Sequence, residues 1–174
     1  VPAVIKRNVF ENPSWYTSYT PYQPEIAQGR LEALMNYQTM VSDLTGMDIS
    51  NASLLDEPTS AAEAMMLAKR VAKSKSNTFF INSKTFKQTI AIIKSRAKPL
   101  GVEIEIGELP DRGKEYFAAY FQYPNAEGSI EDLENITKDI QAKGGLMIIG
   151  TDLLALTLLK LSLIHISEPT RQLQ

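Results

Sequence analysis

The sequence contains no cysteine, and its only histidine, His165, lies close to the carboxyl end. Without cysteine the chain can form neither a disulfide framework nor a thiolate metal site. A single histidine near one end leaves the body of the chain without a histidine metal cluster or a histidine-based nucleophile triad. Metal-dependent and triad hydrolases are therefore poor interpretations, and we expect no metal.

The sequence also lacks an excess of one charge, a long apolar run and a glycine-rich phosphate loop. Its 18 basic and 20 acidic side chains are interspersed, so no basic stripe is available for nucleic acid. The longest apolar run, 153–159, is far shorter than the roughly 20 residues that span a bilayer. We expect neither a nucleic-acid nor a membrane partner. The first residues do not have the pattern of a signal peptide, so any targeting segment would lie upstream of Val1.

The hydrophobic pattern along the chain alternates between strand and helix periods. Helices are predicted over 31–44, from about residue 58 or 60 to 68, over 86–97 and over 129–140, and strands over 78–81, 102–106, 116–121 and 146–149. Helices of this length between strands favour a mainly parallel sheet with helices on both faces. The fold class is α/β, and no linker divides the chain into two domains.

Two helix starts carry capping signals. Pro58 suits a first helical turn, and Ser60 with Glu63 has the spacing of a capping box. Ser129 with Asp132 is expected to open the later helix, whose core face would begin at Ile130.

Three local runs could contribute to a site. The loop 16–25 combines tyrosines and prolines, a mixture that suits a ligand wall, a subunit interface or, more commonly, a rigid loop packed on its own domain. The run 56–60 at a helix start could seat an anion, but simple capping is favoured, because Asp56 and Glu57 would repel a phosphate. Asp152 follows a predicted buried strand, where a carboxylate could pair with a cationic ring nitrogen or cap a helix.

Several longer motifs resemble one family. They are Tyr19-Thr20-Pro21-Tyr22-Gln23-Pro24-Glu25, Gln28-Gly29-Arg30-Leu31-Glu32, Asn36-Tyr37-Gln38, Leu54-Leu55-Asp56-Glu57, Ala61-Ala62-Glu63-Ala64 and Thr151-Asp152-Leu153-Leu154-Ala155-Leu156. In this order and spacing the chain resembles glycine decarboxylase, the P-protein of the glycine cleavage system. The resemblance implies the large domain of a fold-type-I pyridoxal-phosphate enzyme, similar to aspartate aminotransferase and built from two similar halves. Residues 1–160 would be part of the amino-terminal half.

The resemblance also implies an activity. Glycine would lose its carboxylate as carbon dioxide on pyridoxal phosphate, and the aminomethyl group would pass to the lipoyl arm of the H-protein. Implied partners are glycine, lipoylated H-protein and the carboxyl-terminal half of the same enzyme, in a homodimer or a paired-subunit assembly. The implied location is the mitochondrial matrix in a eukaryote or the cytoplasm in a bacterium.

The family's Schiff-base lysine belongs to the carboxyl-terminal half, and Lys160 does not match it, so we expect no catalytic residue in this chain. By analogy with the catalytic half, Thr59 and Ser60 would be a vestigial phosphate position and Asp152 a vestigial ring-nitrogen position. The pocket wall across the interface between the halves would come from Tyr19, Thr20, Tyr22 and Gln23.

The chain departs from the family at two places. Pro58 stands where many relatives have glycine or alanine. After Lys160 the family pattern stops, and we expect 161–174 to be an unrelated tail outside the folded core, similar to translated vector or non-coding sequence. Two functions remain open: a fragment that supplies scaffold and pocket wall to an enzyme, and a non-catalytic module that pairs with the catalytic half or with H-protein.

Overall fold

The computed structural model of the chain describes residues 1–16, 21–52 and 54–159. The chain divides into two compact units, Val1–Asp43 with Asp48–Ser53 and Leu44–Met47 with Leu54–Gln174. The expectation of one partial domain over 1–160 stays a prediction. The tail 161–174 lies outside the described residues.

The first unit is helical. Helix α1 (Ala3–Ile5) continues as a π-helical turn, Lys6–Phe10, and the long helix α2 spans Gln28–Thr45, which confirms the predicted helix. The Gln38 side chain donates to the Ser50 carbonyl at 2.8 Å and so connects α2 to the segment that follows it. Gly46 has a φ of 69°, the left-handed conformation that ends many helices.

The second unit contains a parallel sheet. Helix α3 (Glu57–Val71) precedes strand β1 (Thr78–Asn82), helix α4 (Lys87–Ala97) and strand β2 (Glu103–Gly107). Strand β3 (Ala118–Tyr123), helix α5 (Glu134–Ala142) and strand β4 (Leu146–Thr151) follow. The 4 strands pair in parallel in the order β2-β1-β3-β4. This arrangement confirms the predicted α/β class.

Both faces of the sheet are covered, as predicted. Phe79 and Ile81 of β1 pack on α3 and α4, whereas Phe80, between them, packs on the opposite face with Leu133 and Ile140. This alternation follows from the two-residue period of a strand. Each fully buried side chain of this size contributes about 1.5–3 kcal/mol to folding. The core therefore consists of two layers, one on each side of the sheet.

The structure confirms Pro58 in the first turn of α3, but it places both predicted caps elsewhere. Asp56, not Ser60, is the N-cap of α3, because its carboxylate accepts a hydrogen bond from the Thr59 amide at 2.8 Å. The helix predicted to open at Ser129 begins at Glu134. Its expected first turn is a loop, because the Asn125 side chain accepts hydrogen bonds from the amides of Glu127 and Ser129 and holds a tight turn there. Ile130 is consequently exposed.

Candidate functional site

The strand order reverses in the middle of the sheet. From β1 the chain passes through α4 to β2 on one side, and from β3 it passes through α5 to β4 on the other side. The reversal lies between β1 and β3. In open α/β sheets, ligands bind outside the carboxyl ends of the strands at such a reversal. The candidate site is therefore expected at this edge.

An open crevice of about 540 Å³ lies at this carboxyl edge. Glu57, the first residue of α3, contributes to its wall, and so do residues at the ends of β3 and β4. We call it the carboxyl-edge crevice; it is lined by Glu57, Phe86, Gln122, Pro124, Asn125, Thr151, Asp152 and Leu153. It brings together segments that are far apart in the sequence.

Gln122 and Asn125 are the buried polar residues of the crevice wall. The Gln122 side-chain oxygen accepts a hydrogen bond from the Tyr120 hydroxyl at 2.9 Å. Burial raises the pKa of Tyr120 well above its usual range, with a smaller contribution from the carboxylate of Glu57. The hydroxyl thus remains a donor to Gln122 at neutral pH.

A charged cluster supports the crevice behind Asn125. The Asn125 side-chain nitrogen donates to Glu131 at 3.0 Å, and the Lys84 ammonium lies 3.1 Å from the same carboxylate oxygen. Glu127 lies 3.9 Å from Lys84. The hydrogen bond and the charge of Glu131 raise the pKa of Lys84, so this lysine is held as a cation. The adjacent Tyr123–Pro124 peptide bond is cis.

The amino end of α3 has its donors engaged by its own chain. Asp56 is exposed, and the hydrogen bonds from Thr59 lower the pKa of its carboxyl group. Ser60 donates to the Asp56 carbonyl twice, from its amide at 2.9 Å and from its hydroxyl at 2.8 Å. The capping interpretation of this run is therefore confirmed, with Asp56 in the capping role. A cofactor role for Thr59 and Ser60 stays a prediction.

Asp152 lines the crevice but is exposed, whereas the sequence interpretation considered a buried carboxylate here. Its carboxylate accepts from the Leu154 amide at 3.0 Å and so holds the turn that precedes the short 3₁₀ helix Ala155–Thr157. A carboxylate after a strand stays exposed when no further element covers it. Its role as a vestigial ring-nitrogen partner stays a prediction.

The tyrosine loop is only partly described. Tyr19 and Thr20 lie outside the described residues. In the first unit, Tyr22 is 69% exposed and the Gln23 carbonyl accepts from the Ile26 amide at 3.3 Å. The exposure of Tyr22 leaves its hydroxyl and ring available for contact with another surface. The expected pocket-wall role of all four residues stays a prediction.

A second polar cluster surrounds Glu105 on β2. Its carboxylate accepts from Lys114 at 3.0 Å and from the Tyr116 hydroxyl at 2.8 Å. The hydrogen bond from Lys114, followed by that from Tyr116, lowers the pKa of Glu105. Burial, and then the hydrogen bond to Glu105, raises the pKa of Tyr116 to about 12. The Tyr116 hydroxyl also accepts from the Asp111 amide at 3.1 Å, so the cluster secures the turn before β3.

Neither a metal cluster nor a membrane-spanning helix is found within the described ranges. There, no three acidic or histidine side chains converge in a way that could hold a metal ion. None of the described helices combines the length and apolar character needed to cross a bilayer.

Sequence reasoning identified only Glu57, within the run 56–60, and Asp152 as site candidates, and it missed the other residues of the crevice wall: Phe86, Gln122, Pro124, Asn125, Thr151 and Leu153. One signal was present: Gln122 is a polar residue in an otherwise aromatic, buried strand. A polar side chain at the carboxyl end of such a strand is typical of a ligand-contacting position. Phe86 gave no comparable signal, because an aromatic residue at the start of an amphipathic helix is typical of a core position.

Known proteins are similar to this chain over most of its length. The family model described as "Glycine cleavage system P-protein" matches residues 1–162. A "Glycine dehydrogenase (decarboxylating)" from Rhizobium leguminosarum bv. trifolii is 55% identical over 161 residues, which is 91% of this chain and 17% of that protein. The protein of the same name from Stutzerimonas stutzeri is 56% identical over 159 residues, again 91% and 17%.

A solved structure gives the same result. A glycine decarboxylase (P-protein) of the glycine cleavage system, crystallised in inhibitor-bound form, superimposes with a TM-score of 0.80 at 30% identity. The match covers 92% of this chain and 38% of that one. The chain spans about 17% of the length of the curated relatives it matches. On the extent of the sequence and structural matches, this chain belongs to the glycine cleavage system P-protein family.

Proposed function

We propose that the chain acts as part of a glycine-decarboxylating P-protein, in which it supplies scaffold and pocket wall rather than reacting groups. The observation that carries this proposal is the family match over residues 1–162, joined to a carboxyl-edge crevice that lacks a reactive amine. The complete enzyme would act on glycine with pyridoxal phosphate and pass the aminomethyl group to lipoylated H-protein. The cofactor would supply the sink for the electrons released with carbon dioxide.

The crevice of this chain does not fit pyridoxal phosphate. Its described lining contains two carboxylates, Glu57 and Asp152, but neither lysine nor arginine. Lys84 follows the carboxyl end of β1, and its pairing with Glu131 raises its pKa, whereas a lysine that captures a carbonyl needs a lowered pKa. We therefore propose that the cofactor is held by the carboxyl-terminal half of the enzyme.

The surface of the first unit supports a role in assembly. On α2, Met35, Tyr37 and Met40 are each about half exposed or more, at 66%, 47% and 56%. Tyr37 and Met40 are three residues apart and thus share one side of the helix. Exposed apolar side chains in this number are typical of a surface that another element covers. We propose the carboxyl-terminal half of the same enzyme as that element, since most of the length of the relatives lies outside the match.

The first experiment tests the absence of reacting groups. The purified chain is mixed with pyridoxal phosphate, absorbance is recorded before and after borohydride, and exchange of labelled bicarbonate into glycine is measured with H-protein. A full-length relative from Stutzerimonas stutzeri serves as the positive control. We expect no lysine to be fixed by borohydride and no exchange above background. Specific fixation at one lysine together with exchange would contradict the proposal.

The second experiment tests the pocket-wall role. In the full-length relative, the tyrosine that matches Tyr22 is changed to phenylalanine. Because only a hydroxyl is removed, the melting temperature should stay nearly unchanged while decarboxylation or glycine affinity falls. Lost stability with normal kinetics would instead assign the loop to packing.

A further inference from the structure

The amino end of α3 faces the carboxyl-edge crevice, because Glu57 is both its first residue and part of the crevice wall. A helix end of this kind attracts a phosphate through its free amides. At the start of α3, fewer amides are free to donate to a ligand. Pro58 has no N–H, and the Thr59 amide already donates to the Asp56 carboxylate at 2.8 Å. The amide of Glu57 is the only one of the first three that neither feature removes.

The charges around this helix end also disfavour a bound phosphate. Asp56 caps the helix, and Glu57 and Asp152 line the crevice, whereas the described lining offers no basic side chain. The hydrogen bonds from Thr59 lower the pKa of Asp56, so its carboxylate stays ionised at neutral pH. A phosphate dianion would lose one amide to proline and a second to a carboxylate, and it would face two further negative charges.

We propose that Asp56 serves as a built-in anion at the amino end of α3 and, together with Pro58, excludes phosphate-bearing ligands from the carboxyl-edge crevice. In this chain an amide at the start of α3 that could donate to a phosphate donates to a side-chain carboxylate instead. Asp56 is thus a specificity-determining residue: it keeps this helix end from competing for pyridoxal phosphate. The inference rests on the proposed function only in the choice of that cofactor.

The experiment follows the Thr59 and Ser60 amides by ¹⁵N NMR during titration of the full chain. The ligands are inorganic phosphate and pyridoxine phosphate, which has no aldehyde to react with surface lysines, and pyridoxine is the phosphate-free control. The variants are Asp56→Asn and Asp56→Asn with Pro58→Ala. Asparagine caps a helix as well as aspartate does, so α3 is retained while the charge is removed, and alanine restores the missing amide.

We expect no saturable shift of Thr59 in the original chain. In the double variant both phosphate ligands should bind at least about tenfold more tightly, as the removal of one nearby like charge predicts. Asp132→Asn is the charge control, because the Asp132 carboxylate also accepts from a backbone amide, that of Glu134 at 3.0 Å, but it precedes α5, whereas Asp56 adjoins Glu57 of the crevice wall. This control should show no saturable shift of Thr59, as in the original chain.

Three results would overturn the inference: phosphate binding at Thr59 in the original chain, no gain in the double variant, or an equal gain in Asp132→Asn. The inorganic phosphate titration does not depend on glycine chemistry. Its failure is therefore distinguishable from failure of the decarboxylation proposal, which the bicarbonate exchange measures.

Discussion

Gly150 on β4 lies opposite Gln122 on β3, and the side chains of Tyr120 and Gln122 occupy the space that a side chain at position 150 would need. A Cβ atom at position 150 would lie 2.0 Å from the Tyr120 hydroxyl oxygen and 2.8 Å from the Gln122 side-chain oxygen. The Tyr120 ring is fully buried, so it cannot swing away without disturbing the core. Gly150→Ala should therefore destabilise the second unit.

The expected loss can be estimated from two contributions. Overpacking of a filled core costs about 1–3 kcal/mol. Displacement of the Tyr120 hydroxyl would also break its buried hydrogen bond to Gln122, which adds about 1 kcal/mol. A total of about 2–4 kcal/mol corresponds to a fall in melting temperature of roughly 10 °C for a chain of this size.

The assay is urea and thermal unfolding followed by circular dichroism. In a Tyr120→Phe background the nearest clashing atom is absent, so the cost of Gly150→Ala should shrink by about 1 kcal/mol or more. Gly29→Ala is the matched control: a Cβ there meets nothing within 4 Å, and alanine favours the helix. An equal cost of Gly150→Ala in both backgrounds, or a cost below about 0.5 kcal/mol, would refute the reasoning.

Further outcomes are expected. Asp56→Ala should lower the free energy of unfolding in urea, because it removes the N-cap of α3, whereas Asp56→Asn should cost little, and equal losses would contradict the capping role. Because the folded pKa of Glu105 lies below its ordinary value of 4.5, its charge-linked stability is present above that value and is lost as pH falls through the lower folded pKa. Glu105→Gln should therefore reduce the loss of unfolding free energy on acidification below about pH 5. An equal loss in the variant and the original chain would contradict this. Leu133→Ala should cost about 2–5 kcal/mol, since the side chain is fully buried, and a smaller loss would show that the site collapses. Deletion of 161–174 should leave the melting temperature unchanged, and a lower value would make the tail structural.

The sheet was largely predictable, because each strand carries its own pattern. Val102, Ile104 and Ile106 alternate with glutamates, and 118–123 is buried on both faces, so period and length were sufficient to identify both strands. The start of α5 was not predictable in this way. Asn125 holds the turn before it, because its side-chain oxygen accepts two hydrogen bonds from backbone amides, and these bonds compete with helix formation over 129–133.

The crevice was less predictable than the fold. Asp152 and the start of α3 were both identified as candidates, because each lies at an element end that reads directly from the sequence. Their shared wall with Gln122 and Phe86 depends on the strand order β2-β1-β3-β4, which brings together the ends of elements that are distant in the chain. Local patterns contain no information about that order.

The two edges of the sheet differ in how readily a further strand could pair with them. At one edge, β2 carries Glu103 and Glu105, and charged side chains discourage a further strand. At the other edge, β4 reads Leu-Met-Ile-Ile-Gly-Thr without a charge or a proline, and its outer backbone groups have no strand partner within the described sheet. Where nothing covers β4, copies of the chain would pair there, so solubility would depend on protein concentration well below the unfolding temperature.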